Sequence, residues 1–441
     1  MARPIEAFRN ALKIPELKRR IFFTLVMLAV YRLGAHVPTP GVNGRALADM
    51  IGQAGGLLGF YDMFSGGAFR NATVFALGIM PYISAAIIMS LLVAVVPALE
   101  KLQKEGHEGQ KKITAYTRYG TIGLCVVQSI GIGLYLQRLG ADIVANPGVP
   151  FLLMCMISFT TGTAFIMWLG EQISEFGVGN GISLIIFVSI ISRMPNAFFN
   201  VIRMIRDNQL NIFQAGILMI LMVVVIAGAI VVTTGQRRIP VQYPRQVKGR
   251  KVYGGQRNYL PLRVNQAGVI PIIFASSIMM LPGLMQSAVS IPAINDFFSN
   301  WFAYNGFLYS MCTALLIIFF SYFYTAITFN PVEIADNMKK YGGVITGVRP
   351  GRATADYLNH VMVRITLVGS LFLALVALLP TIVSRALQVY NATVVTFFGG
   401  TTLLILVGVA LDTIRQIEQH LIMRHYDGFS PKGRRVRSRR G

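Results

Sequence analysis

The chain alternates long apolar stretches with short polar ones, and the apolar stretches are longer than a buried strand or an ordinary core helix requires. Runs free of Asp, Glu, Lys and Arg extend from Ala72 to Leu99, Gln209 to Gly235, Val264 to Asn295 and Phe297 to Val332. A helix needs roughly 20 apolar residues to cross the hydrocarbon core, so each run can span. The pattern predicts ten spanning helices, near 21–37, 72–96, 119–137, 151–170, 181–199, 212–234, 268–290, 306–329, 365–384 and 393–411. The expected fold class is therefore an all-α polytopic membrane protein.

Charge gives these spans a direction. The chain has 40 Lys and Arg against 18 Asp and Glu, and 32 of the 40 fall in stretches 1–20, 97–118, 235–264, 330–364 and 412–441. The other eight are Arg32, Arg45, Arg70, Arg138, Arg193, Arg203, Arg206 and Arg385. The positive-inside rule puts the crowded stretches, and with them both termini, on the cytoplasmic side. The basic stretch "ALKIPELKRR" precedes the first span without a small-residue cleavage motif after it, so that span is expected to be retained. Cys125, Cys155 and Cys312 each fall inside a predicted span without CxxC spacing, which suggests packing and neither a disulfide framework nor a metal site.

Ten spans divide into an amino-terminal half, 1–200, a carboxyl-terminal half, 201–415, and a basic tail, 416–441. An odd number of spans per half means that any internal repeat is inverted, an arrangement that puts functional sites near the bilayer midplane. Glycines and prolines recur in matching segments of the halves, "ALGIMPYI" with "QAGVIPIIF" and "GVGNGISLII" with "FFGGTTLLIL". These residues serve either a site or merely close helix packing. Ionisable residues are scarce at mid-span: Glu171, Glu175 and Asp412 sit at cytoplasmic span ends, and Arg32 is placed to snorkel outward. A route through the protein would be lined mainly by apolar side chains. No nucleophile–base pair, phosphate-binding glycine motif or metal-ligand cluster is present in the sequence, so neither an enzyme nor a cofactor is expected.

Within "GIMPYISAAI", Ile79 and Ile83 are four apart and share a helix face, and Ile182 and Ile186 of "GNGISLIIF" repeat the spacing. Ile273 and Ile405 lie in the matching spans of the second half. Spacing alone gives them no role beyond packing or lipid contact. Together with "ELKRRI", "MFSGGA", "KEGHEGQKKITAYTRYGT", "FIMWLGEQISEFGVGNGISLIIF", "GQRRI", "LPLRVNQAGVIP", "FNPVEIADNMKKYGG", "GVRPG" and "FFGGTTLLI", however, the chain resembles the SecY family of protein-conducting channels nearly end to end.

The resemblance implies an hourglass pore whose waist is a ring of Ile79, Ile83, Ile182, Ile186, Ile273 and Ile405. It further implies a plug half-helix over 57–71, with Phe64, Ser65, Gly66 and Gly67 at its centre. Length agrees independently, since fifteen helical residues reach only about 22 Å. Asp62 and Arg70 make lipid exposure of that segment costly. Spans two and seven resemble a lateral gate, with Ser84, Asn180 and Asn265 at or near the seam. Either Asn could equally cap a helix or bond a neighbouring one.

The loop from Gly235 to Val264 has eight basic and no acidic residues, and its alternating apolar positions predict a hairpin turning near Lys248 to Lys251. By resemblance this loop, with Arg237, Arg238, Lys248, Arg250 and Lys251, and the next, with Arg349, dock SecA or the ribosome. Such charges also bind ribosomal RNA phosphates or anionic lipids generically. The implied partners are SecE, SecG, SecA, the ribosome, signal sequences, nascent chains and anionic membrane lipids, and the implied home is a bacterial cytoplasmic membrane. The tail "SPKGRRVRSRRG" fits the family least and binds lipid or RNA or is disordered. A secondary transporter of a small apolar or amphiphilic solute is the competing reading.

Overall fold

The computed structural model describes residues 14–54, 62–140, 142–243, 246–248, 251–253, 257–288, 306–386 and 399–427. Among them, ten long helices occupy the ten predicted stretches: α1 Pro15–Gly34, α3 Met80–Val95, α5 His107–Arg138, α6 Val149–Phe176, α7 Gly181–Arg206, α8 Ile212–Thr234, α9 Ile270–Ala288, α10 Phe307–Thr328, α12 Arg352–Ala386 and α13 Gly400–Asp427. Shorter helices α2 Gly44–Ala54, α4 Pro97–Lys104 and α11 Pro331–Lys340 lie between them. Seven of the described helices are long and apolar enough to cross a membrane, or eight if α3 and α4, which meet at 98°, count as one.

Several boundaries differ from expectation for local reasons. The second span starts at Met80, not near 72, because residues 65–79 form a succession of turns. Gly78 takes φ +58°, and Pro81, which has no N–H to satisfy, suits the first helical turn. Val96 is extended before Pro97, as the residue before a proline tends to be, so α3 ends there and α4 turns away. By contrast α5, α6, α12 and α13 run well past their apolar stretches, because a helix continues into water wherever no breaker stops it. Where helices must start, side chains cap them. Asn211 and Gln214 form a capping box on α8, and Asn330 accepts from the N–H groups of Val332 and Glu333 on α11.

The first five long helices pack as one set, through α3–α5, α5–α6, α6–α7, α1–α6 and α1–α7 contacts. The second five pack through α8–α13, α9–α10, α10–α12 and α12–α13. The two sets meet along two seams. On one, α3 and α5 lie against α9, and on the other α7 lies against α8 and α13. One contiguous apolar core runs through both sets.

The expectation of an all-helical protein needs one addition, a small sheet with its own core. Strands β1 Gln236–Gln242, β4 Arg257–Arg263 and β5 Val344–Ile345 form an antiparallel sheet in the order β4-β1-β5. Its tip is the hairpin β2 Gln246–Lys248 and β3 Lys251–Tyr253, where Lys248 pairs with Lys251 as the predicted turn requires. Ile239 and Val241 of β1 face inward with Leu262, Ile345, Met338 and Leu358, while Arg237 and Arg238 stay exposed. The two basic loops are thus joined through β5, which sequence patterning did not suggest.

Candidate functional site

The six isoleucines come from four elements in both halves. Ile83 is on α3, Ile182 and Ile186 on α7, Ile273 on α9 and Ile405 on α13, while Ile79 is the residue just before α3. The Ile83 N–H bonds the Ile79 carbonyl at 3.2 Å, which keeps their side chains in the expected relation. Five of the six are buried to between 0 and 6 % exposure and belong to the central apolar cluster, and Ile182 packs partly buried against it. Met63, Phe64, Ala68 and Phe69 of the plug segment belong to the same cluster. The six isoleucines and the 62–69 segment therefore share one apolar cluster.

The segment expected to be a plug is described from Asp62 onward, and residues 57–61 lie outside the described residues. Asp62–Phe64 are helical, but 65–72 are turns, so the expected half-helix is not continuous through Asn71. The glycines explain this. Gly66 (φ +67°) and Gly67 (φ +91°) take left-handed conformations that side chains resist, and the chain folds back on itself there. The Ser65 hydroxyl steadies the turn, donating to the Asp62 carbonyl at 3.1 Å and accepting from the Phe69 N–H at 3.1 Å.

Polar groups hold this turn in the bundle. The Asp62 carboxylate pairs with the Arg193 guanidinium of α7 and accepts the Arg70 N–H at 2.7 Å. Arg32 of α1, which its place near a span end would let snorkel, donates to the Gly66 carbonyl at 2.7 Å. The Ser189 hydroxyl donates to the Ile185 carbonyl, which leaves Tyr31 to donate to Ser189 at 2.7 Å, with the Ser65 carbonyl 3.4 Å from the same phenol. From the second half, Thr402 donates to the Met63 sulfur at 3.2 Å. A buried carboxylate without a partner is strongly disfavoured, and breaking a buried pair costs about 3–5 kcal/mol. Sequence reading singled out the plug but not Tyr31, Ser189 or Arg193 as its holders. The one available signal was that Arg32, Asp62, Arg70 and Arg193 are charges outside the basic loops.

The three residues expected at or near a gate have separate surroundings. Asn180 is exposed and caps α7, accepting the Ser183 N–H at 3.1 Å, so its capping alternative holds. Asn265 is buried and donates to the Gly268 carbonyl at 2.8 Å. It lines a cavity of about 180 Å³ with Arg263, Asp412 and Arg415. Ser84 is half-buried on α3, the helix that α9 contacts. No hydrogen bond joins these three among the described residues.

Of the residues expected to dock a partner, Arg237 and Arg238 are exposed on β1, and Arg349 is exposed just after β5, its carbonyl accepting the Thr354 hydroxyl at 2.8 Å. Lys248 and Lys251 flank the hairpin turn by backbone register, and Arg250 lies outside the described residues, as does 428–441 of the basic tail. At the base of α5, exposed Arg118 pairs with Glu171 of α6 at 2.7 Å.

Comparison with known proteins agrees with this architecture. The SecY family pattern matches residues 73–414. The protein translocase subunit SecY of Thermotoga maritima is 45 % identical over 99 % of this chain and 100 % of its own length. That of Thermus thermophilus is 44 % identical over 98 % of each. A solved structure described as a protein conducting channel superposes with a TM-score of 0.65 at 16 % identity, covering 96 % of this chain and 98 % of that one. A second, a study of the SecY plug domain stabilising the closed state of its channel, gives 0.64 at 18 % with the same coverage. At such identities the structures speak for the fold, and the sequence relatives carry the family. By its sequence, and with an architecture that agrees, the chain belongs to the SecY family of protein translocase subunits.

Proposed function

We propose that this chain is a passive conduit for unfolded polypeptide, closed at rest by the isoleucine ring and the plug. Its lateral opening would be the seam between α3 and α9. The observation that supports this reading is the apolar cluster that gathers Ile79, Ile83, Ile186, Ile273 and Ile405 from both halves with Met63 and Phe64, and against which Ile182 packs. An apolar constriction excludes continuous water and ions. Stiff β-branched side chains can still close around an extended chain. The chain sits in a bacterial cytoplasmic membrane with both termini inside, and works with the small membrane subunits SecE and SecG.

Energy comes from a partner, the SecA motor or a translating ribosome. The sheet joining Arg237, Arg238 and Arg349 supports this, because it offers exposed guanidinium groups on a folded platform suited to acidic or phosphate surfaces. The chain itself performs no chemistry in this reading. Signal sequences and nascent spans leave through the seam, and anionic lipids meet the remaining basic residues.

Reconstituted vesicles test the proposal. Uptake of a secretory precursor that requires SecA and ATP is the expected result. Accumulation of a small solute under a proton gradient, with no precursor uptake, would replace the conduit by a transporter. Arg349→Glu should reduce SecA-driven uptake by about tenfold, on the scale of losing a charge-assisted contact, while the protein still inserts. Undiminished uptake by that variant would remove Arg349 from the docking surface.

A further inference from the structure

Of the charged residues outside the basic loops, four gather at one place: Arg32, Asp62, Arg70 and Arg193. All four meet at the plug. The Asp62 side chain is nearly fully buried and both its oxygens are engaged, one by Arg193 and the other by the Arg70 N–H. One turn further on, the Gly66 carbonyl accepts from Arg32. A Cβ on Gly66 would stand 3.2 Å from the backbone and side chain of Ser189, so the turn lies directly on α7.

We propose that Asp62–Arg193 and Arg32–Gly66 form a charged latch that fastens the plug to the first five-helix set, through α1 and α7. This rests on the conduit reading and adds to it the groups that decide whether the plug stays. The chain leaving the turn is tied to the segment that follows α1, because the Thr39 N–H donates to the Ala72 carbonyl at 2.8 Å and the Val74 N–H to the Val37 carbonyl at 3.0 Å. The latch does not bridge the α3–α9 seam. Parting that seam leaves it intact, so gate opening and plug release are separable events.

Charge suits a reversible closure. A paired and hydrogen-bonded carboxylate and guanidinium exchange their partner for water when the plug enters an aqueous vestibule, so the pair as a whole gains little net stability from burial. Losing one partner alone is different, because the other is then stranded in the closed state. The latch is therefore selective for the closed geometry without making it permanent.

The test is idle ion conductance of the purified channel, with its accompanying small subunits, in planar bilayers. The variants are Asp62→Asn, Arg193→Gln, the two combined, and a deletion of 62–67 that sets the leak without a plug. Each single substitution should raise idle conductance at least ~10-fold, the scale of a broken buried pair. The combined variant should leak no more than the worse single one, as partners in one interaction do. Precursor uptake should persist in all three. Arg32→Gln, which leaves the buried carboxylate paired, provides a second route if Asp62→Asn fails to accumulate, and should leak at least ~3-fold more than the parent. Parent-like conductance in the substituted channels beside a leaking deletion would overturn the latch and leave the conduit standing. Additive leaks of the two single variants would equally overturn the pairing. A deletion that neither leaks nor takes up precursor would instead overturn the plug and conduit reading beneath it.

Discussion

Ile405 and Asp62 are buried to 0 % and 1 % exposure in neighbouring parts of one core, yet opposite chemistry holds them there. Ile405 and the other proposed ring residues are held by shape and apolar contact, which another apolar side chain of similar volume can supply. Asp62 is held by two named donors, Arg193 and the Arg70 N–H, and neither can be exchanged for a merely apolar neighbour. The comparison suggests a division of labour. In the proposed channel the ring would keep water out, and the latch would fix one position of the plug.

The largest effect should come from changing the ring's chemistry. Ile83→Ser together with Ile186→Ser puts two hydroxyls at the constriction, and idle ion conductance should rise by at least ~10-fold as the apolar barrier wets. A dry, parent-like conductance in that variant would break the comparison. Gly66→Ala probes the latch through its backbone. The left-handed φ and the 3.2 Å approach to Ser189 both oppose a methyl group, and the expected strain of about 1–2 kcal/mol should raise leak several-fold without loss of uptake. Ile273→Leu keeps volume and polarity, so conductance should stay within about twofold of the parent. A large leak there would mean that the ring is as position-specific as the latch, and the distinction would fall.

What the sequence made legible follows the same division. Ten long helices were readable because apolar runs are local, and the six isoleucines could be proposed as a ring because Ile79/Ile83 and Ile182/Ile186 carry helical spacing and their positions match the family motif. The latch was not readable. Tyr31 and Ser189 are 158 residues apart and Asp62 and Arg193 are 131 apart, and no periodicity reports how α1, α7 and a turn are set against each other. The true start of α3 was hidden as well, because residues 72–79 are as apolar as a helix but are turned by Gly78. Strand β5 escaped notice for a simpler reason, since two residues, Val344 and Ile345, are too few to show alternation.

The central claim is that polypeptide passes through the isoleucine ring, and site-specific crosslinking of an arrested chain tests it most directly. In a background with Cys125, Cys155 and Cys312 replaced, single cysteines at Ile83, Ile186, Ile273 and Ile405 would be compared with cysteines at the exposed α8 positions Val223 and Val231. The account predicts crosslinks from a stalled precursor to all four ring positions and none to the α8 pair. Crosslinks confined to α8, with the ring positions unreactive, would contradict it.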